Sequence, residues 1–384
     1  MLDLSRVLAA PYATMALGEL GADIIKVERA PDGDETRQWG PPFVQGESTY
    51  YLGINRNKRS IALNLRDESD RQVVRDLAKG WADVVVENFR PGTLERWGMG
   101  LAALRQANPR LITASVRGYP AGDDRPGYDF VIQAGSGLMS ITGDVDGPPF
   151  KVGVAVADIF TGLFLLSGIE AALFRREKTG KGDHVEVSLW ESQLAALATV
   201  VQGHLSTGGA PGRWGNAHAQ LAPYQIFPTE NGWIAIGVGN DRQFQDLCGV
   251  LGHEEWSQDQ RFLSNRDRVN NRGPLEELLT EMLRTRSTEI WVERLQNAGV
   301  PVGPVRTVPE ALAHAQAQGH HLIGSMAHPT LGEIQQIRLP WRFSESSTAM
   351  TLPPPLLDEH HQDILELVER IRGNEERTNV NRHE

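Results

Sequence analysis

The sequence predicts an α/β protein, with a large domain on a mainly parallel sheet and a smaller, helix-rich domain beyond it. Three observations carry this. Short apolar runs such as Ala22–Glu28 (ADIIKVE), Asp83–Glu87 (DVVVE) and Leu111–Val116 (LITASV) read as strands buried on both faces. Helix-length segments separate them, as in βαβ units. A Gly/Pro-rich stretch, Gly208–Pro223, then breaks the pattern, and the chain beyond it is mostly helical.

In order, Leu2–Leu4 reads as the end of a first strand, and Pro11–Leu20 as a helix stopped by Gly21. Ala22–Glu28 is the second strand, and Arg29–Asn57 a long polar loop. Ser60–Leu65 is a strand, Ser69–Lys79 a helix, Asp83–Glu87 a strand, Leu101–Gln106 a helix and Leu111–Val116 a strand. The chain is organised around Lys151–Trp190. Small residues from Val152 to Ala157 deliver Asp158 to a segment, Ile159–Phe174, in which only Glu170 is charged. Most faces of that helix should therefore be covered by protein. Arg175, Arg176 and Lys178 complement its negative end, and Gly180 stops it. Asp158 sits where an N-cap belongs, and taken alone it reads as one.

His184–Ser188 follows as a strand and Glu191–Leu205 as a helix. Residues 1–207 thus form the first part of the large domain, and 208–223 a linker. Residues 224–307 form the small domain, and 308–384 return to complete the large one. The small domain holds the strand Trp233–Val238 and helices at Gln243–Leu251, Leu275–Leu283 and Ile290–Ala298. Pro309–Ala317 and the amphipathic Asp358–Arg370 are helices, and the polar Asn374–Glu384 reads as a frayed end.

Composition excludes several function classes. A formal charge of −11 argues against nucleic-acid binding and leaves any anionic ligand to local basic clusters. The single cysteine, Cys248, rules out an internal disulfide framework and argues against a thiolate metal site. No apolar run reaches membrane-spanning length, and the N-terminus lacks a basic region and a cleavage site. The expectation is a cytoplasmic protein that contacts no membrane.

Motifs for common cofactors fail. Gly180-Lys181 is followed by Gly182, so there is no Walker A loop, and Gly237-Val238-Gly239 has Arg242 where a dinucleotide fingerprint needs glycine. His320-His321 and His360-His361 are adjacent pairs whose side chains diverge, and no GxSxG elbow is present. What remains is a set of cations and amides at strand ends. Arg29 follows one strand, Arg66 another, and Asn88-Phe89-Arg90 a third, with Arg96 a turn later. Ligands of open α/β sheets gather outside the carboxyl ends of strands. Each arginine alone also fits ordinary surface charge. Together, with Phe89 available to stack, they fit an anionic nucleotide-bearing ligand.

At these residues the sequence resembles the family III CoA-transferases. RVLAAPYATM, LGADIIKVER, GDETR, NRNKRSIALNL, VVVENFRPG, NPRLITASVRGY and VADIFTG follow one another in the family's order over nearly the whole chain. The resemblance implies a Rossmann-like large domain and a homodimer in which each chain forms a ring threaded through its partner. It places the family's nucleophile on Asp158. It places coenzyme contacts on Leu8, Ala9, Arg29, Leu63, Asn64, Asn88, Phe89, Arg90, Arg96 and Tyr128. Coenzyme A then enters as a thioester substrate beside a small carboxylic acid, with no permanently bound cofactor and no metal. The small residues Gly153, Ala155 and Ala157 leave room for a pantetheine arm.

Two features narrow the reading. Where α-methylacyl-CoA racemases of the same fold have GHD, this chain has Gly127-Tyr128-Asp129, so the histidine base of a racemase is missing. A racemase-like enzyme and a non-catalytic CoA-binding protein remain the alternatives to a transferase. WGPPFVQGESTYYLGINRNK and RWGNAHAQLAPYQIF resemble the subgroup that moves CoA between dicarboxylates, such as succinyl-CoA and glutarate or hydroxymethylglutarate. Arg37, Arg213, Asn216 and His218 are candidates for the acceptor's second carboxylate. The segment Arg213–His218 is not glycine-rich like the loop of oxalate-type relatives, which counts against oxalate.

Overall fold

The structure is a computed structural model that describes residues 1–380. It divides into two compact units. The large one comprises Met1–Leu138, Val152–Gly208 and the chain from His321 onward; the small one comprises Met139–Lys151 and Gly209–His320. These bounds differ from the expected 224–307. Arg213, in the expected linker, donates to the carbonyls of Asp144 (3.0 Å) and Gly147 (2.6 Å), which ties the excursion at 139–151 to this unit.

The large unit is built on six parallel strands. They are β1 (Leu2–Asp3), β2 (Ile25–Arg29), β3 (Arg59–Leu63), β4 (Val84–Glu87), β5 (Ile112–Arg117) and β6 (His184–Ser188). Their order across the sheet is β3-β2-β1-β4-β5-β6. Leu2 lies opposite Ile25 on one side and Val85 on the other. The chain therefore winds outward one way through β2 and β3, and the other way through β4 to β6. The reversal point lies between β1 and β4, where a crevice opens at the carboxyl ends of the strands.

Both faces of the sheet are covered, and alternate residues of one strand show it. Val84 and Val86 join one core together with Ala13 and Ala16 of α1 (Ala9–Glu19). Val85 joins the other core, with Val74 and Leu77 of α2 (Glu68–Gly80). The terminal helix His361–Val380 adds Ile364, Val368 and Ile371 to that second core. The expected frayed end is therefore helical as far as Val380, and its last four residues, 381–384, lie outside the described residues.

The central helix, here α3 (Val156–Thr179), buries Ala157, Leu165, Leu166 and Ile169 in the first core, with Thr161 and Gly162 on the same stripe. A methyl group on Gly162 would come within 2.6 Å of the Ala9 carbonyl, so glycine is what allows this helix to lie against α1. Three expectations are corrected here. Leu163, Phe164 and Phe174 are 42%, 44% and 65% exposed, so the chain itself covers only one stripe of the helix. By length and composition alone the helix could cross a membrane, although core helices of globular proteins share that length and composition. Ala157 is buried in the core and does not line a channel.

The small unit carries an antiparallel sheet of β7 (Tyr224–Pro228), β8 (Trp233–Gly237) and β9 (Val302–Pro304), ordered β9-β8-β7. Its own core gathers Phe227, Ile234, Phe244, Leu279 and Trp291.

Candidate active site

A cleft of about 520 Å³ opens at the reversal point of the large sheet. Arg6–Ala9 line it beyond β1, Asn88–Gly92 beyond β4, and Val116–Tyr128 with Glu95, Glu186, Leu189 and Asp158 complete it. The first two loops are stitched together. Asn88 accepts from the Arg6 N–H (3.0 Å) and donates to the Arg6 carbonyl (2.7 Å). Buried Glu87 accepts from the Phe89 N–H (2.9 Å) and pairs with Arg117 (2.8 Å), which itself donates to the Phe89 carbonyl (2.8 Å). Phe89 packs edge-on against Trp97. The loop is thus held in place before any ligand arrives. Sequence reading misses Glu87 and Arg117, although a charged residue closing the apolar run DVVVE is a usable signal.

Asp158 is the third residue of α3, not its N-cap; Ala155 holds that position. The capping hydrogen bond comes from elsewhere. Asp129, at the start of the helix Asp129–Gly135, accepts from the Ala157 N–H at 2.8 Å. Its other oxygen accepts from buried Gln133 (2.7 Å), whose carbonyl accepts from the Val152 N–H (2.9 Å). Gly118 and Gly127 make this possible, because a methyl group on either would meet the other's backbone at 2.6 Å. Their close crossing brings Tyr128 and Asp129 back to the end of β5.

Asp158 is half-buried, and no cation or hydrogen-bond donor among the described residues pairs with its carboxylate. Loss of water around it first, and then the negative charge of Asp129, push its pKa up to about 7. Tyr50, which sequence reading also misses, feels the same charges. Burial, Asp158 and Asp129 raise its phenol to about 12, so it stays neutral at ordinary pH.

Of the expected coenzyme contacts, Leu8, Ala9, Asn88, Phe89, Arg90 and Tyr128 line the cleft together with Asp158. Arg96 is exposed beside Gly92, at the rim. Arg29, Leu63 and Asn64 lie at the ends of β2 and β3, outside this lining. Arg29 pairs with Asp32 (3.2 Å), Leu63 is buried in the core, and Asn64 donates to Asp67 (2.8 Å). Arg37 is corrected as an acceptor contact. Its guanidinium is committed to Glu28 (2.8 and 2.7 Å) and lies over the Tyr51 ring. Arg213, Asn216 and His218 belong to the small unit; Arg213 holds the turn at 144–147, and His218 accepts from the Gln220 N–H at 3.0 Å.

Residues 1–361 match CoA-transferase family III. The chain is 42% identical over 373 residues to the succinyl-CoA:glutarate CoA-transferase of Mus musculus, covering 96% of this chain and 85% of that one. It is 40% identical over 327 residues to the acetyl-CoA:oxalate CoA-transferase of Acetobacter aceti, covering 84% of each. A solved structure of a CAIB/BAIF family protein from Brucella suis matches with a TM-score of 0.84 at 39% identity, covering 96% of this chain and 97% of that one. The chain belongs to CoA-transferase family III and is an enzyme of that family.

Proposed function

We propose that the protein moves coenzyme A from succinyl-CoA to a short dicarboxylate such as glutarate, with Asp158 carrying the CoA between them. The observation that carries this is the Asp158 carboxylate, unpaired in a cleft formed by the expected coenzyme loops. Its ionised form attacks the thioester carbonyl, giving a mixed anhydride and CoA thiolate. The thiolate attacks the Asp158 carbonyl, forming an aspartyl-CoA thioester and releasing succinate. The acceptor carboxylate then runs the same steps in reverse. Each step exchanges one activated acyl group for another, so no ATP is consumed.

The relative named for glutarate supports the acceptor class. Oxalate competes, because a relative named for oxalate is nearly as similar. The segment Arg213–His218, which is not glycine-rich, favours the longer acid. We also infer a homodimer, supported by the exposed Leu163, Phe164, Phe174 and Leu205, and a reducing cytoplasmic setting, supported by the lone cysteine.

Incubation with succinyl-CoA and a panel of acids, read by mass spectrometry, tests the function. Glutaryl-CoA formation is the expected result. Oxalyl-CoA alone would reassign the acceptor, α-proton exchange without transfer would indicate a racemase, and binding without turnover would indicate a CoA-binding protein.

A further inference from the structure

We propose that Asp129 and Gln133 are positioning residues: they cap the helix that carries Asp158, and so leave the Asp158 carboxylate free to react. The proposal rests on Asp158 being the nucleophile.

The first turn of a helix leaves N–H groups without partners, and an aspartate at its third position is well placed to fold back and satisfy one. Such a carboxylate would be lowered in basicity and turned away from the cleft. Here two of those N–H groups are met from outside the helix. The Val156 N–H bonds the Val154 carbonyl (2.9 Å), and the Ala157 N–H bonds Asp129 (2.8 Å). Gln133, fully buried, fixes the arrangement by bonding Asp129, the Val154 carbonyl (3.3 Å) and the Val152 N–H at once. Among the described residues the Asp158 carboxylate makes no hydrogen bond back onto its own helix.

Asp129 adds a second effect through its charge. Among titratable groups Asp129 acts on Asp158, and Asp158, Asp129 and Asp34 act in turn on Tyr50. The cleft cations Arg6, Arg90, Arg117 and Arg125 make no pair with it. Removing the Asp129 charge therefore makes Asp158 easier to ionise.

Two substitutions separate cap from charge. Asp129→Asn keeps an oxygen for the Ala157 N–H and removes the charge, giving up the bond that the second oxygen accepts from Gln133. We expect it to retain most of kcat, with the acid limb of the pH profile moved below about 7. Asp129→Ala removes both, and misplacing the nucleophile should lower kcat by about 100-fold with little change in the KM for succinyl-CoA. Wild-type kcat in Asp129→Ala overturns the proposal. So does an Asp129→Asn variant that loses as much kcat as alanine, or one whose acid limb stays put. The covalent CoA adduct on Asp158, read by peptide mass spectrometry, separates the two readings. Its presence in wild type together with full activity in Asp129→Ala sinks the positioning role alone, and its absence in wild type overturns both.

Discussion

Asp3 and Asp158 are two carboxylates of the same structural unit, both withdrawn from bulk water, and they titrate in opposite directions. Asp3, at the end of β1, is completely buried. It accepts from Ser5 (2.9 Å) and Thr14 (2.7 Å) and pairs with Lys58 (3.1 Å). Burial alone would raise it, but Lys58 and Lys26 outweigh burial and hold it at about 2. Burial also pulls Lys58 down to about 8, which still leaves it mostly charged at neutral pH. Around them run further buried pairs: Lys26 with Asp34 at 2.9 Å, Arg37 with Glu28 at 2.7 Å, and Arg56 with Glu19 at 2.5 Å. Asp158 has lost water without gaining cations, and rises to about 7. Burial does not decide what a carboxylate does; its partners do. A satisfied acid holds the fold, and one left unsatisfied at a cleft is poised for chemistry.

The sharpest way to break this comparison is to delete each acid's defining feature. Asp158→Ala should lower transfer by about 10⁴-fold or more, the scale of losing a nucleophile. CoA binding, measured by calorimetry, should survive, and appreciable residual transfer would remove Asp158 from its role. On the other side, Lys58→Met leaves Asp3 buried without its nearest cation. Breaking a buried pair in this way should cost about 3–5 kcal/mol in denaturant titration. An unchanged midpoint would mean that Lys26 alone suffices.

How far each region can be read from sequence follows from the same contrast. The parallel sheet is legible because Val84, Val85 and Val86 are all apolar, as a strand with two covered faces requires. The cleft loops are legible because Asn88, Phe89 and Arg90 directly follow a strand. Arg37 is not, because its partner Glu28 and the ring of Tyr51 come from separate elements. Capping by Asp129 is equally hidden: it lies 28 residues from Ala157 and depends on the Gly118–Gly127 crossing. A helix start near Asp158 can be read from the residues, and only the fold shows that another side chain caps it.

Asp158→Asn sharpens the comparison through stability. The folded pKa of Asp158, about 7, lies above the usual value of 3.8. An acid raised in this way contributes stability below its unfolded pKa and loses it as pH rises through the folded one. Above pH 7 the wild type therefore carries an unfavourable, poorly solvated charge that asparagine lacks. The variant should be more stable by a few kcal/mol at pH 8, since each tenfold change in an acid constant is worth about 1.4 kcal/mol. That gain should fade as pH drops toward 4. Thermal melts across this range check it. A gain that is independent of pH would place the benefit in packing and not in charge.

The smallest expected effect concerns the cations. Arg56 is buried and locked to Glu19, whereas Arg96 is exposed at the cleft rim and donates to Thr93 (3.1 Å). If the rim cations are kept for ligand and not for fold, Arg96→Ala should leave stability within about 0.5 kcal/mol. Its CoA affinity should fall by roughly 3- to 10-fold at low salt, with the difference shrinking as salt screens an exposed charge. Calorimetry with CoA at two ionic strengths reads the affinity, and a thermal melt reads the stability. Unchanged affinity would leave Arg96 as plain surface charge, like Arg29 beside Asp32, and would shift the phosphate contacts to Arg90, which lines the cleft itself.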